Sequence, residues 1–381
     1  MDVAIVGGGP AGAQCAYALA RAGARVTLFD PSHPREKPCG GGVTGRALAL
    51  TSLTKQSDLE VRLVEIRRAR FGQATVTLAP DALVVTSRAT FDAALLDAAR
   101  RAGVTVVRAR VTDVNVTREA VTIATTAGEH RASFVIGADG ANSLVRRRVF
   151  APFRRDQLSI ATGFYAHGVT SDEIVIEFVD DPPGYIWSFP RPDHLAIGIC
   201  AQADAGVTAL ALRQRTAHWI AASRVAHGAT LVPYSWPIPS LSRDDLASLP
   251  LSGDRWMLIG DAAGLVDPIT REGIFFAMQS AAAAAAAWRD PLPPASYRER
   301  MHAEVVPELI LAARLKAGFF TPPFVRLLNR GLEHSAAIRM VMADLVAGRQ
   351  SYRTLKWRLI KTLEVRLAWD AFIARRSHPA L

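Results

Sequence analysis

The chain is expected to be an α/β protein: a dinucleotide-binding domain of parallel strands and helices, interrupted by an antiparallel sheet and followed by a helical C-terminus. Three observations predict this. A strand, glycine turn, helix, strand and acid follow one another within the first 30 residues. A β-rich stretch runs from Leu158 to Cys200. Beyond Pro294 almost every segment has a helical pattern.

Val3-Ala4-Ile5-Val6 is an apolar run of strand type, and Gly7-Gly8-Gly9-Pro10-Ala11-Gly12 follows at once. An Ala- and Leu-rich helix then runs to about Ala22, and Arg25 to Phe29 reads as a second strand closed by Asp30. This is the Gly-x-Gly-x-x-Gly layout of a dinucleotide-binding βαβ unit. Gly7 permits the turn out of the strand, Gly9 leaves room for a pyrophosphate, and Gly12 lets helix and sheet pack closely. The helix N-terminus presents free N–H groups to phosphate. Asp30 can accept from the hydroxyls of an adenosine ribose.

With 381 residues, half of them hydrophobic and 21% charged, a large core is expected. The charge-free apolar run Gly273 to Trp288 is shorter than the ~20 residues a membrane span needs. No signal segment precedes the first strand, so the expected location is the cytoplasm. Cys15, Cys39 and Cys200 are too scattered for a disulfide framework or a metal site. Cys15 and Cys200 read as small core residues. The net charge is +10, and from Arg289 onward 16 Lys/Arg face 8 Asp/Glu. No nucleic-acid motif accompanies this surplus, which leaves a lipid surface or a solvated helical face.

In order, Pro31 to Val43 is a loop, where Gly40, Gly41 and Gly42 allow close backbone approach to a ligand. Thr90 caps a helix with Phe91, Leu95, Leu96 and Ala99 on one face. Asp92 is expected to stabilise that helix's first turn. Strands at Val104–Arg110, Val111–Val116 and Ala120–Ala124 precede a buried strand, Phe134 to Gly137, that ends in Asp139-Gly140. Strands at Ile160–Tyr165, Glu173–Phe178, Tyr185–Phe189 and His194–Cys200 form the inserted sheet. Trp256 to Ile259 returns to the first domain, and Gly260-Asp261 leads to a loop and an alanine-rich helix. The expected units are residues 1–155 with 250–295, a lobe at 156–249, and a basic helical region at 296–381.

Gly7-x-Gly9-x-x-Gly12 with Asp30, the Gly137-Ala138-Asp139-Gly140 strand end and Leu258-Ile259-Gly260-Asp261-Ala262-Ala263 together resemble the p-hydroxybenzoate hydroxylase class of FAD proteins, with a Rossmann-like fold of glutathione-reductase type. Lys37-Pro38-Cys39-Gly40-Gly41-Gly42-Val43 and Pro182-Pro183-Gly184-Tyr185-Ile186-Trp187-Ser188-Phe189-Pro190 look like the geranylgeranyl reductase family within that class. The likeness covers roughly residues 1–297.

The resemblance implies FAD as cofactor, with Gly7, Gly9, Pro10, Ala11 and Gly12 at its pyrophosphate and Asp30 at its adenosine ribose. It places Arg88 on the flavin side of the pyrophosphate and the Val111 backbone at the adenine. Asp139 would support the phosphate region, and Gly260-Asp261 the ribityl chain. The loop to Gly273 and Ile274 would bring N–H groups to the flavin's pyrimidine end. Cys39, beside Gly40, Gly41 and Gly42, is a candidate proton donor at the flavin, or a small residue beside the ring. Tyr185, Trp187 and Phe189 alternate onto one strand face. They line either the sheet's own core or, with Pro190, an isoprenoid pocket. Arg271 departs from the family's Gly-Glu-Gly. It is expected to point to solvent, to clamp an anionic flavin or substrate head, or to narrow the pocket, and it is strained if φ is positive.

The implied activity is reduction of C=C double bonds in a geranylgeranyl or other polyprenyl group, with NADPH or ferredoxin as external reductant. The alternatives are a flavin monooxygenase (a hydroxylase) or halogenase acting on an aromatic or polyketide substrate, or an FAD-binding scaffold without catalysis. In the tail, Leu355, Leu359, Ile360, Leu363, Leu367 and Phe372 form an apolar stripe between Arg353, Lys356, Arg358, Lys361 and Arg366. This leaves two readings: peripheral contact with an anionic inner-membrane surface, or docking on the protein body.

Overall fold

The computed structural model describes residues 2–53 and 63–362. Its first sheet has six strands in the order Ser252–Gly253, Trp256–Leu258, Phe134–Gly137, Asp2–Val6, Arg25–Phe29, Thr105–Val107. All are parallel except the first pair. Strands buried on both faces read as continuous apolar runs, and Val3, Ala4, Ile5, Val135 and Ile136 are buried accordingly. Helix Pro10–Arg21 packs on helices Arg88–Arg101 and Ile274–Ala287. The alanine run of the latter, a strong helix former, supplies small side chains for close packing.

The crossover is a three-stranded antiparallel meander, Val111–Val116, Val121–Thr125 and Gly128–Ala132. The second large sheet has seven strands, in the order Thr230–Pro239, Leu158–His167, His194–Gln202, Pro183–Pro190, Glu173–Asp180, Arg68–Phe71, Ala74–Thr77. Two features of it depart from the sequence reading. The hairpin at 68–77 joins from outside the 156–249 segment, through a parallel pairing with Glu173–Asp180. Thr230–Pro239 is a full strand despite Pro233, Pro237 and Pro239. It lies at the sheet's edge, where a missing N–H breaks no ladder.

Among the described residues five helices follow: Pro293–Glu304, Val306–Phe319, Pro322–His334, Ala336–Val346 and Tyr352–Lys361. They are not a separate appendage. Phe319, Val325, Leu328, Val341 and Leu345 pack with Ile174, Ile176 and Phe178 of the second sheet in one core. The helix expected over Tyr352–Ala374 is described to Lys361; Leu363, Arg366, Leu367 and Phe372 lie outside the described residues. No described helix is long and apolar enough to cross a membrane.

Candidate active site

A cavity of about 780 Å³ runs between the two sheets. One end is walled by Gly7, Gly9, Pro10, Ala11, Asp30, Val111 and Asp139. The middle meets Cys39, Gly40, Gly41, Gly42, Arg88, Asp261, Gly273 and Ile274. The far end is apolar, built by Ile176, Phe178, Tyr185, Trp187, Phe189 and, from the C-terminal helices, Phe319, Met342 and Leu345. Gly12, Gly260 and Pro190 do not reach it. A Cβ on Gly12 would lie 1.9 Å from the Gly7 carbonyl oxygen, and one on Gly260 2.9 Å from the Ala11 Cβ, so both serve close packing. Pro190 is buried at the end of its strand.

The glycine turn is built as its spacing predicts. Gly7 has φ +107°, and a Cβ there would lie 2.3 Å from the Ala138 carbonyl oxygen. Gly9 caps helix Pro10–Arg21 without a side chain, and a Cβ on it would meet nothing nearer than His33 Nε2 at 3.8 Å. The uncapped helix start therefore faces open cavity, an anion-ready arrangement.

Asp30 sits at the strand tip with its carboxylate already engaged. It accepts from Gly8 N–H and Ser32 N–H at 2.7 Å, His33 N–H at 2.6 Å and His33 Nδ1 at 2.9 Å. Burial alone would raise its pKa, but His33 and these N–H groups hold it well below the usual carboxylate range. His33 Nε2 is buried with no hydrogen bond, 3.5 Å from Asp92 Oδ2. Asp139 spends its carboxylate on capping the next helix, accepting from Ser143 Oγ at 2.5 Å and Leu144 N–H at 2.6 Å. Burial raises its pKa. Asp261 lies 3.6 Å from Lys37 Nζ.

The helix starts at Arg88, with Ser87 rather than Thr90 at its N-cap, and Asp92 lies one turn in and ties back to the first helical residue. It is fully buried and pairs with Arg88 through two bonds of 3.0 and 2.9 Å. Arg88 Nη1 in turn reaches Cys39 Sγ at 3.7 Å, and Arg191 Nη2 reaches the same sulfur at 3.9 Å. Arg191, 1% exposed, donates to the Glu36 carboxylate and to the Cys39 carbonyl oxygen at 2.6 Å. Coulombic attraction to Arg191 helps hold Glu36 below its ordinary pKa against the opposing effect of burial.

The glycines after Cys39 answer to a side chain as well as to a ligand. A Cβ on Gly40 or Gly42 would lie 2.8 or 2.9 Å from the Phe189 ring. Tyr185 donates its hydroxyl to the Thr270 carbonyl oxygen at 2.9 Å, tying the aromatic strand to the loop before Ile274. That loop is held from two further sides. Asp267 accepts from Ile269 N–H, Thr270 N–H and the buried Tyr352 hydroxyl. Glu272 accepts from Thr44 Oγ1 at 2.6 Å and pairs with Arg46. Burial raises the Glu272 pKa despite Arg46.

Arg271 has φ +60°, in the left-handed region that favours glycine. Its side chain does not run to solvent. Nη1 donates to Ser240 Oγ at 2.7 Å and to the Pro268 carbonyl oxygen. Lys316 Nζ lies 2.7 Å from the same Ser240 Oγ and 2.8 Å from Gln202 Oε1. The sequence reading missed Glu36, His33, Arg191, Lys316 and Tyr352. The Pro-rich loop that holds Glu36 and His33 was the one available signal. Cys15 is buried and its thiol is pushed up to about 12 by that burial. Among the described residues no group of three or more His, Cys, Asp or Glu is placed to hold a metal ion.

The chain resembles known proteins in domain family, in sequence and in fold. Residues 1–289 match the FAD binding domain family. The chain is 29% identical over 313 residues to the chloroplastic geranylgeranyl diphosphate reductase of Nicotiana tabacum, covering 74% of this chain and 64% of that enzyme's length. It is 30% identical over 308 residues to the menaquinone reductase of Mycobacterium tuberculosis, covering 74% and 75%. A geranylgeranyl bacteriochlorophyll reductase-like structure from Thermoplasma acidophilum superposes with TM-score 0.78 at 22% identity, over 95% of this chain and 98% of that one. A flavin-dependent brominase superposes at 0.70, also at 22% identity, over 95% and 99%. At these identities the superpositions show a shared fold.

Proposed function

The chain belongs to the FAD binding domain family, and on that premise we propose that it is an FAD-dependent reductase of C=C double bonds in a geranylgeranyl or other polyprenyl group. The observation that carries this reading is the continuity of the cavity: the glycine turn and an apolar, aromatic-walled chamber share one space, with the glycine-rich loop between them.

The residues fit the cofactor. The uncapped helix start at Gly9–Ala11 would hold the pyrophosphate, Asp30 with His33 the adenosine side, Val111 the adenine, and Asp261 the ribityl chain. Gly273 and Ile274 would offer N–H groups where a helix start favours negative charge. When bound, FAD supplies hydride chemistry. The chain's part is placement. The Tyr185, Trp187 and Phe189 wall aligns an apolar chain and excludes water. The Cys39 thiol, held between Arg88 and Arg191, is the candidate proton donor.

NADPH or ferredoxin is the proposed reductant. Peripheral contact with an anionic membrane is supported by helix Tyr352–Lys361, where Trp357 and Ile360 are exposed beside Arg353, Lys356 and Lys361.

The test is anaerobic turnover. Dithionite-reduced protein is mixed with geranylgeranyl-bearing lipids and the products are read by mass spectrometry. A gain of two hydrogens per double bond, with flavin reoxidised without oxygen, is the expected result. Flavin that stays reduced until air is admitted, and then consumes NADPH over an aromatic substrate, would replace this reading with the hydroxylase or halogenase one.

A further inference from the structure

Helix Tyr352–Lys361 has two unlike faces. At 3.6 residues per turn, Tyr352, Leu355 and Arg358 turn one way and Arg353, Trp357 and Ile360 the other. Tyr352 and Leu355 are buried in the core that the second sheet shares with the C-terminal helices. Trp357 is 66% exposed and Ile360 53%. These two lie roughly 60° apart around the helix axis, with Lys356 and Lys361 on either side of them. The helix holds two lysines and two arginines and no acid. Among the described residues neither lysine is in an ion pair. An apolar centre between unpaired cations fits the boundary between anionic headgroups and acyl chains. A nucleic-acid backbone would engage the cations alone.

The inward face is tied to the cavity at two points. Tyr352 donates its hydroxyl to both Asp267 oxygens, at 3.0 and 2.8 Å. Asp267 accepts in turn from Ile269 N–H at 2.7 Å and Thr270 N–H at 3.0 Å. Ile269 and Thr270 line the cavity, in the loop that runs on to Gly273 and Ile274. Arg358 pairs with Asp344 at 2.6 Å. Asp344 belongs to helix Ala336–Val346, which supplies Met342, Leu345 and Val346 to the apolar chamber. One helix therefore carries the outward apolar and cationic residues and also the groups that hold the loop and the chamber wall. Restraining this helix from outside restrains the loop within. A ligand that orders a segment lowers the ordering cost for a second ligand that needs the same order, and such coupling is reciprocal.

We propose that helix Tyr352–Lys361 docks on an anionic lipid surface and that docking tightens the hold on FAD through Tyr352 and Asp267. This coupling rests on the membrane contact and the cofactor already proposed, and adds a regulatory link between them. The protein then keeps its cofactor best at the surface where a water-insoluble substrate resides.

The probes are vesicles of phosphatidylglycerol and of phosphatidylcholine, mixed with the FAD-loaded protein. The protein should sediment with the first and not with the second. Lys356→Gln combined with Lys361→Gln should weaken partitioning about thirtyfold. On phosphatidylglycerol vesicles the release of FAD after dilution, followed by flavin fluorescence, should slow about fivefold or more. Amide exchange over residues 267–274 should slow with it. Tyr352→Phe should partition as the unmodified protein does but show no slowing of either process. The double lysine variant should release FAD at the lipid-free rate of the unmodified protein, with or without vesicles. Failure of the unmodified protein to partition overturns the membrane contact and the coupling together. Equal partitioning onto both lipids overturns the anionic partner. Partitioning with FAD release and amide exchange unmoved overturns the coupling and leaves the membrane contact standing. Slowing that persists in Tyr352→Phe overturns the route through Tyr352.

Discussion

Arg191 Nη2 donates to the Cys39 carbonyl oxygen across 2.6 Å, joining positions 152 residues apart. The same guanidinium pairs with Glu36, so one side chain just past the aromatic strand holds the segment that leads into the glycines at two points, Glu36 and Cys39. The aromatic wall and the candidate proton donor are thereby placed relative to each other by a single buried group.

Removing it should be costly. Arg191→Met leaves Glu36 with Ser87 Oγ and Arg88 N–H but no cation. Losing one partner of a largely buried pair, together with the bond to Cys39, should destabilise by about 2–4 kcal/mol. Thermal unfolding measures this. Flavin retention should fall with it, since the loop lines the cofactor's space. A variant with unchanged Tm and flavin content would show that the loop holds its shape without Arg191.

This hub marks the boundary of what the sequence discloses. The glycine turn, Asp30 and the alternation of Tyr185, Trp187 and Phe189 are local patterns, and periodicity reports them. Arg191 is a lone cation after Pro190, and its partners lie more than 150 positions upstream. Tyr352 and Asp267 are likewise 85 apart. No spacing rule reaches such pairs. The edge strand Thr230–Pro239 was hidden for a different reason: its prolines argue against a strand until the edge position is known. The 68–77 hairpin was hidden because its partner strand lies a hundred residues away, in what reads as another unit. The fold class was legible because it rests on local periods; the closure of the site rests on long-range polar bonds and was not.

Gly40 and Phe189 should be energetically coupled. A Cβ on Gly40 would sit 2.8 Å from Phe189 Cδ2, inside contact distance. Gly40→Ala should cost about 1–3 kcal/mol through overpacking. In a Phe189→Leu background the ring edge is gone, and the same substitution should cost less. The double-mutant cycle should return a coupling of about 0.5–3 kcal/mol. Additive effects would mean that the loop, rather than the ring, yields.

Tyr352 should tune the flavin loop from a distance. Its hydroxyl donates to both Asp267 oxygens, at 3.0 and 2.8 Å, and Asp267 in turn holds Ile269 N–H and Thr270 N–H. Tyr352→Phe removes a donor from a buried carboxylate, a loss of about 1–3 kcal/mol. The loop that ends in Gly273 and Ile274 should loosen, so FAD should dissociate more readily and its midpoint potential should shift. Fluorescence titration and spectroelectrochemistry check the two effects. A lowered Tm with the potential unmoved would reduce Tyr352 to a packing residue.

The last prediction concerns pH and follows from Lys316. Its ammonium, ordinarily near 10.5, is pushed down to about 7, by burial first and then by Arg271. Between these values the unfolded chain holds a proton that the folded chain has released. Stability rises with pH wherever the unfolded state binds more protons, so this contribution climbs from about pH 7 to 10.5 and is flat on either side. Lys316→Met deletes the titration without exposing the site. In buffer free of phosphate and other oxyanions, the unfolding free energy of the unmodified protein should therefore gain on that of the variant by about 1 kcal/mol or more between pH 7 and 10. Taking the difference cancels the other groups that titrate in this range. Parallel curves for the two proteins would mean that Lys316 titrates alike in the folded and unfolded chain.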